Sequence, residues 1–325
     1  MPVLDGRDPA SIDAAAARLA AGGLVAFPTE TVYGLGARAD DDAAVGAIFA
    51  AKGRPSEHPL IVHVLDADGA RRFSPRPGDA AERLMARLWP GPLTVIVPRA
   101  DGVAAAAAGG QASIGLRAPS HPLARALLAR AARAGVAGVA APSANRFGRV
   151  SPTTAAHVRQ EFGDALWVLD GGPCEVGIES TIVDCTADPP ALLRPGGVPR
   201  DAVEAVLGAP LVEPGAASPR APGRLASHYA PSAPVRLFDA DALQAAWQAL
   251  DPGSRAAVAV YSRHALPGGA VRHRQMPADP AGVAHELFAV LRAFDDAGAR
   301  QIWVERPPTG PAWDGVNDRL RRAAA

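Results

Sequence analysis

Apolar and polar positions along the chain follow two periods in turn, and together they outline an α/β architecture. Asp8 followed by Pro9 has the form of an N-cap and a first-turn proline, and ASIDAAAARLAA then carries helical spacing up to Gly22-Gly23. LVAFP predicts a short buried strand, with TETVYGLG after it as a loop. DDAAVGAIFAAKG predicts a second helix, acidic at its start and closed by Gly53. Further strands are predicted at PLIVHV, LTVIVP, ASIGLRAP, VAGVAAPSAN, ALWVLD and STIVDC, with helices over 78–88, 121–134 and 153–161. This interleaving predicts an α/β fold: a twisted mixed sheet with helices packed on it.

The period disappears after the helix RDAVEAVLG. Residues 209–234 are rich in Pro, Gly, Ala and Ser and read as a linker. Regular patterning resumes with VRLFD, a helix near 240–250, AAVAVYS, a helix near 280–297, QIWVE and a last basic helix. The expected organisation is a first domain over 8–208, a linker over 209–234, and a small Rossmann-like α/β domain over 235–325.

Composition changes the picture in two respects. The 325 residues are 48% hydrophobic and 20% charged, which describes a globular protein with room for two domains. The 33 basic residues balance 33 acidic ones, so no broad positive field exists to coat nucleic acid, although a local basic pocket remains open. Cys174 and Cys185 form no Cys-x-x-Cys pair, which points to a reducing cytoplasm by default. The N-terminal stretch lacks the basic and apolar regions of a signal peptide, and no apolar run approaches membrane-spanning length. A soluble cytoplasmic protein with no membrane attachment is expected.

Candidate chemistry concentrates in short loops. Gly34-Leu35-Gly36-Ala37-Arg38-Ala39 matches a dinucleotide-binding pattern only weakly, because the preceding strand ends too early and no acidic strand end follows at the right spacing. Lys52 and Arg54 in KGRP, Arg117 in IGLRAP and Arg194 in LLRPGG stand instead at the ends of apolar segments, where α/β folds gather ligand contacts. Lysine offers a point charge and arginine a bidentate fork, suited to a phosphate chain and a carboxylate. Ser143, Asn145 and Ser151 in APSANRFGRVSP suit phosphate oxygens or a ribose, or equally caps and turns. Ser180 and Thr181 open a strand, and His63 alternates with apolar neighbours as a core histidine also would.

FPTETVYGLGARA, KGRPSEHPLIVHV, WPGPLTVIV, IGLRAPSHPLA, APSANRFGRVSPT, GIESTIVD and LLRPGGV occur in one order, and together they resemble the YrdC-like family of L-threonylcarbamoyl-AMP synthases. The resemblance covers roughly residues 8 to 208, and the remainder resembles the linker and extra domain of the longer members. It implies a reaction of L-threonine, bicarbonate and ATP to threonylcarbamoyl-AMP and pyrophosphate, the first step of N6-threonylcarbamoyladenosine formation in tRNA. A partner transferase then acts on the tRNA, with at most a weak direct tRNA contact by this chain. By resemblance, Lys52, Arg54, Ser143 and Asn145 form the catalytic tetrad. Arg54, His58, Ser113, Ser143, Ser151, Arg194 and the linker residue Tyr229 match ATP contacts. Thr31, His63, Arg117, Ala141 and Ser180 match threonine contacts, with Arg117 as carboxylate clamp. No acidic cluster has metal-ligand spacing, so Mg²⁺ is expected to be held mainly by the ATP phosphates. Tyr229 and its linker are expected to act as a lid over the nucleotide.

Overall fold

Asp8 caps the helix Pro9–Ala20 by accepting a hydrogen bond from the Ala10 N–H. Asp41 does the same for Asp42–Lys52, which ends on Gly53 in the left-handed region at φ 62°. These caps set where the chain turns back into a sheet, and the second leaves Lys52 at a helix end. The computed structural model describes residues 3–223, 228–266 and 272–325. The chain divides into two compact units, Met1–Phe147 with Ser151–Arg224, and Gly148–Val150 with Leu225–Ala325.

The first unit contains β1 (Val3–Asp5), β2 (Val25–Pro28), β3 (Tyr33–Arg38), β4 (Ile61–His63) and β5 (Leu93–Pro98). It continues with β6 (Ser113–Arg117), β7 (Val139–Ala140), β8 (Trp167–Asp170), β9 (Thr181–Asp184) and β10 (Ala191–Arg194). Among the described residues these form a ten-stranded mixed sheet in the order β1-β8-β2-β3-β7-β4-β6-β5-β9-β10. Helices Pro9–Ala20 and Pro122–Arg133 bury Ile12, Leu19, Leu123 and Leu127 with Phe27 and Val139 in one apolar cluster. Ile48, Leu84 and Val203 of other helices cluster with Leu35, Val62, Val95 and Leu116. Helices thus cover the sheet as expected, and the apolar burial they share is the main stabilising term.

Several parts of the first unit depart from the sequence expectation, among them the strand Val3–Asp5 and a short helix at Ala67–Arg71, which the pattern does not announce. TETVYGLG is not all loop, because Tyr33–Arg38 is a strand antiparallel to β2, with Ala26 opposite Leu35. Its first five residues are buried regardless of side, so no alternation marks it. Ala191–Arg194, which precedes Pro195-Gly196-Gly197, pairs antiparallel with β9 as a tenth strand.

The second unit holds β11 (Val235–Phe238), β12 (Val258–Ser262), β13 (Arg272–Gln275) and β14 (Gln301–Glu305). They form a four-stranded sheet in the order β11-β14-β12-β13, all pairs parallel. Leu243 and Trp247 pack with Val258, Val260 and Trp303 to form its core. This is the small α/β domain the patterning predicts, with β13 as an additional polar strand.

Candidate functional site

The site is built where β4 and β6 run side by side. In this parallel pair His63 lies directly opposite Arg117, which places both side chains on one face of the sheet. Both are buried. Burial, followed by the adjacent Arg117 charge, pulls the His63 pKa down to about 3, so the imidazole is neutral at physiological pH.

Arg117 is held by the turn between β2 and β3. Its Nη1 donates to Thr31 Oγ1 at 2.9 Å, its Nε donates to the Gly91 carbonyl at 3.3 Å, and its Nη2 lies 2.8 Å from Glu30 Oε1. Thr29 organises the turn, accepting from the N–H groups of Thr31 and Val32 and bonding the Thr31 hydroxyl at 2.8 Å. The carbonyls of Glu30 and Thr31 accept in turn from the Val176 and Gly177 N–H groups. Thr31, His63 and Arg117, which the resemblance assigns to threonine, therefore come together. Ala141 joins the same sheet region through its N–H to the Ile61 carbonyl. Ser180 sits just before β9, its hydroxyl 2.8 Å from that of Thr94 on β5.

Two cations expected to hold phosphate, Lys52 and Arg54, stand at the end of the helix Asp42–Lys52 and just after it. Lys52 is buried, and its Nζ donates to the carbonyls of Ser143 and Asn145, the first at 2.6 Å. Burial and the nearby Arg54 charge hold its pKa well below the usual lysine range. The Ser143 segment lies against β3: Gly34 bridges Ser143, and a Cβ added to Gly34 would stand 3.2 Å from the Ala141 methyl. Arg54 donates to the Pro59 carbonyl at 3.0 Å and stacks its guanidinium 5.5 Å from the Phe147 ring. His58 meets the same ring edge-on. Lys52, Arg54, Ser143 and Asn145 thus share one neighbourhood.

Arg194 points to Ser180, with Nε and Nη2 both donating to its carbonyl, at 3.1 and 2.8 Å, and Nη1 donating to Pro222 of the linker. Ser113 lines a small pocket with Leu60, Thr94, Ile182 and the linker residues Arg220 and Pro222. Ser151 is buried and donates to Glu179 Oε1 at 2.5 Å. Tyr229 lies within the second unit, its ring 5.5 Å from that of Phe288 and 5.3 Å from the Arg319 guanidinium.

Sequence reasoning left several pocket residues unassigned. Glu30 stands inside a motif read for its threonines, and its link to Arg117 joins the turn between β2 and β3 to the end of β6. Thr94 and Glu179 gave no separate signal. Gln111 and Arg220 exchange hydrogen bonds, the Arg220 N–H to Oε1 at 2.8 Å and Nε2 to the Arg220 carbonyl at 3.2 Å.

Fold and geometry together define an α/β protein in which Lys52, Arg54, Arg117 and Arg194 are buried cations. Residues 17–196 match the Sua5–YciO–YrdC family model, described as telomere recombination. Residues 198–325 match the model described as the threonylcarbamoyl-AMP synthase C-terminal domain. The chain is 38% identical to the Bacillus subtilis threonylcarbamoyl-AMP synthase, covering 99% of this chain and 94% of that protein. It is 37% identical to the Pyrococcus abyssi threonylcarbamoyl-AMP synthase, covering 93% and 91%. The crystal structure of Pyrococcus abyssi Sua5 complexed with L-threonine superposes with a TM-score of 0.89 at 35% identity, covering 98% of this chain and 95% of that one. The chain belongs to the two-domain threonylcarbamoyl-AMP synthase family. Among the described residues no helix is long and apolar enough to cross a membrane.

Proposed function

We propose that the protein condenses L-threonine, bicarbonate and ATP into threonylcarbamoyl-AMP, releasing pyrophosphate, as a nucleotidyltransferase. The observation that carries this reading is the pairing of His63 with Arg117 at one end of β4 and β6, backed by Thr31. A buried arginine fork suits a carboxylate, and neutral His63 beside it adds no competing charge.

The threonine carboxylate would lie on Arg117, with Thr31, Ala141 and Ser180 shaping the space around the side chain. ATP would occupy the adjoining pocket near Ser113 and Arg194, its phosphates reaching toward Lys52, Arg54, Ser143 and Asn145. Negative charge develops on the phosphates as the carbamate oxygen attacks the α-phosphorus and pyrophosphate leaves, and fixed cations stabilise that change. Lys52 contributes in two ways, through its proximity and by fixing the Ser143–Asn145 backbone.

Mg²⁺ fits this reading as an ion arriving with ATP and held by phosphate oxygens and water. The donor set supports it, since the residues proposed for the phosphates, Lys52, Arg54, Ser143 and Asn145, are cationic, hydroxyl or amide groups suited to the anion and not to the metal. When bound, the ion would neutralise triphosphate charge.

His58 and Ser151 would add contacts to the nucleotide, and Tyr229 with the linker would close over it. The product would pass to a threonylcarbamoyl transferase acting on tRNA in the cytoplasm, with a weak tRNA contact at most. The test is incubation with threonine, ATP, Mg²⁺ and isotopically labelled bicarbonate. Threonylcarbamoyl-AMP carrying the label, with pyrophosphate in equal amount, is expected by mass spectrometry. Absence of product from folded, ATP-binding protein would overturn the assignment.

A further inference from the structure

A carbamate forms only from an amine with a free lone pair, whereas an α-amino acid at neutral pH carries an ammonium group. A proton therefore has to leave the substrate nitrogen. Few groups near Arg117 can take it. Burial and the adjacent Arg117 charge both oppose placing a proton on His63, which would put a second positive charge beside the guanidinium. Burial raises the Cys174 and Tyr33 pKa values, so both groups stay protonated. Lys52 uses its Nζ to donate to two carbonyls.

Glu30 differs from all of these. It is 2% exposed, and burial, the largest single influence, favours its neutral form. The Arg117 charge, together with polar contacts from Arg117 and from the Glu30 and Ser120 backbone, outweighs this and keeps Glu30 ionised. Its Oε1 lies 2.8 Å from Arg117 Nη2. Both Glu30 oxygens and Arg117 Nη2 are buried without a directed hydrogen bond. A buried carboxylate left in that condition is costly, and it has acceptor capacity to spare. The two charges complement a zwitterion: the guanidinium suits its carboxylate, and the carboxylate beside it suits an ammonium two bonds away. The other titratable groups facing Glu30 are His63 on β4, His121 after β6 and Cys174. His121 Nδ1 already accepts from the Leu123 N–H.

We propose that Glu30 is the general base that accepts the proton of the amino-acid substrate's ammonium group. The inference rests on the synthase reading above. The proton passes from nitrogen to a Glu30 oxygen, leaving a neutral amine and a neutral carboxyl group. The nitrogen lone pair then bonds the bicarbonate carbon, and a carbon–oxygen bond breaks to release water, giving the N-carboxy amino acid. Its carbamate oxygen bonds the α-phosphorus of ATP as the bond to pyrophosphate breaks. Arg117 couples recognition to basicity: once it shares its charge with the substrate carboxylate, its hold on Glu30 weakens and the proton affinity of Glu30 rises.

The test compares wild type, Glu30→Gln and Glu30→Asp by thermal melting, threonine calorimetry, and kcat and KM from neutral pH to above the amine pKa. Loss of a general base predicts a fall in kcat for Glu30→Gln of about 10²- to 10⁴-fold at neutral pH. Threonine binding should change far less. Activity of this variant should climb by up to about tenfold per pH unit as free amine accumulates, while wild type stays nearly flat. Glu30→Asp, which keeps a carboxylate, should keep the wild-type profile at reduced kcat. A raised threonine KM with unchanged kcat, or no recovery at high pH, would reduce Glu30 to a support for Arg117 and overturn the proposal. If Glu30→Gln does not fold, Glu30→Asp decides alone: wild-type kcat with weakened threonine binding overturns it. Wild-type protein that makes no product would refute the synthase reading itself, a result separate from any variant.

Discussion

Lys52 Nζ lies 2.6 Å from the Ser143 carbonyl oxygen, joining the end of one helix to the loop after β7. The backbone that carries the Ser143 and Asn145 side chains is thereby held by the Lys52 side chain. Lys52→Ala should lower kcat/KM by on the order of 10²-fold or more, and Arg54→Ala similarly, as expected when charge stabilisation at a transferring phosphoryl group is lost. Steady-state kinetics with ATP as the varied substrate checks this. Near-wild-type turnover in either variant would remove the proposed triphosphate site.

Arg117 should govern threonine and leave ATP largely alone. Removing a charge-assisted fork from a buried carboxylate site typically costs about 10²-fold in affinity. Calorimetry on Arg117→Ala is expected to show that loss for threonine and little change for ATP. Equal losses for both ligands would show that Arg117 shapes the whole pocket.

His63 gives a pH signature in stability. Its folded pKa of about 3 lies below the unfolded value of 6.5, so the unfolded chain binds the proton first. The contribution is present in full above pH 6.5 and is lost as pH falls toward 3, at up to about 1.4 kcal/mol per pH unit. His63→Asn removes the titrating group. Urea unfolding across this window should show a shallower acid decline for the variant; parallel curves would contradict the depressed pKa.

The linker offers a separate test. Arg220 is anchored by Gln111 and by the Gly109 carbonyl, and Pro222 accepts from Arg194. Gln111→Ala removes two of these bonds and should increase proteolysis within residues 209–223. If the segment closes the pocket, ATP and threonine will protect wild type, and Gln111→Ala will lose more product to hydrolysis. Unchanged cleavage and yield would make the segment a simple tether.

Local sequence determined much of this protein. Asp8 with Pro9, and Asp41 with Gly53, fixed helix ends because capping is satisfied within a few residues. Apolar runs such as Leu93–Pro98 announced strands, and the ordered motifs carried the family and most of the candidate site. β3 and β13 were not legible for opposite reasons. Tyr33–Arg38 is buried on both sides with glycines in place of alternation, and Arg272–Gln275 is polar and pairs only with β12 among the described strands. Only the tertiary structure decided that His63 faces Arg117, or that Glu30 stands 2.8 Å from it. Pairing across a sheet joins residues far apart in the chain, and Thr31 and Arg117 are separated by 86 positions. Neither local propensity nor period encodes such a contact; it arises when burial of the sheet's two faces fixes register and brings separate loops to one edge.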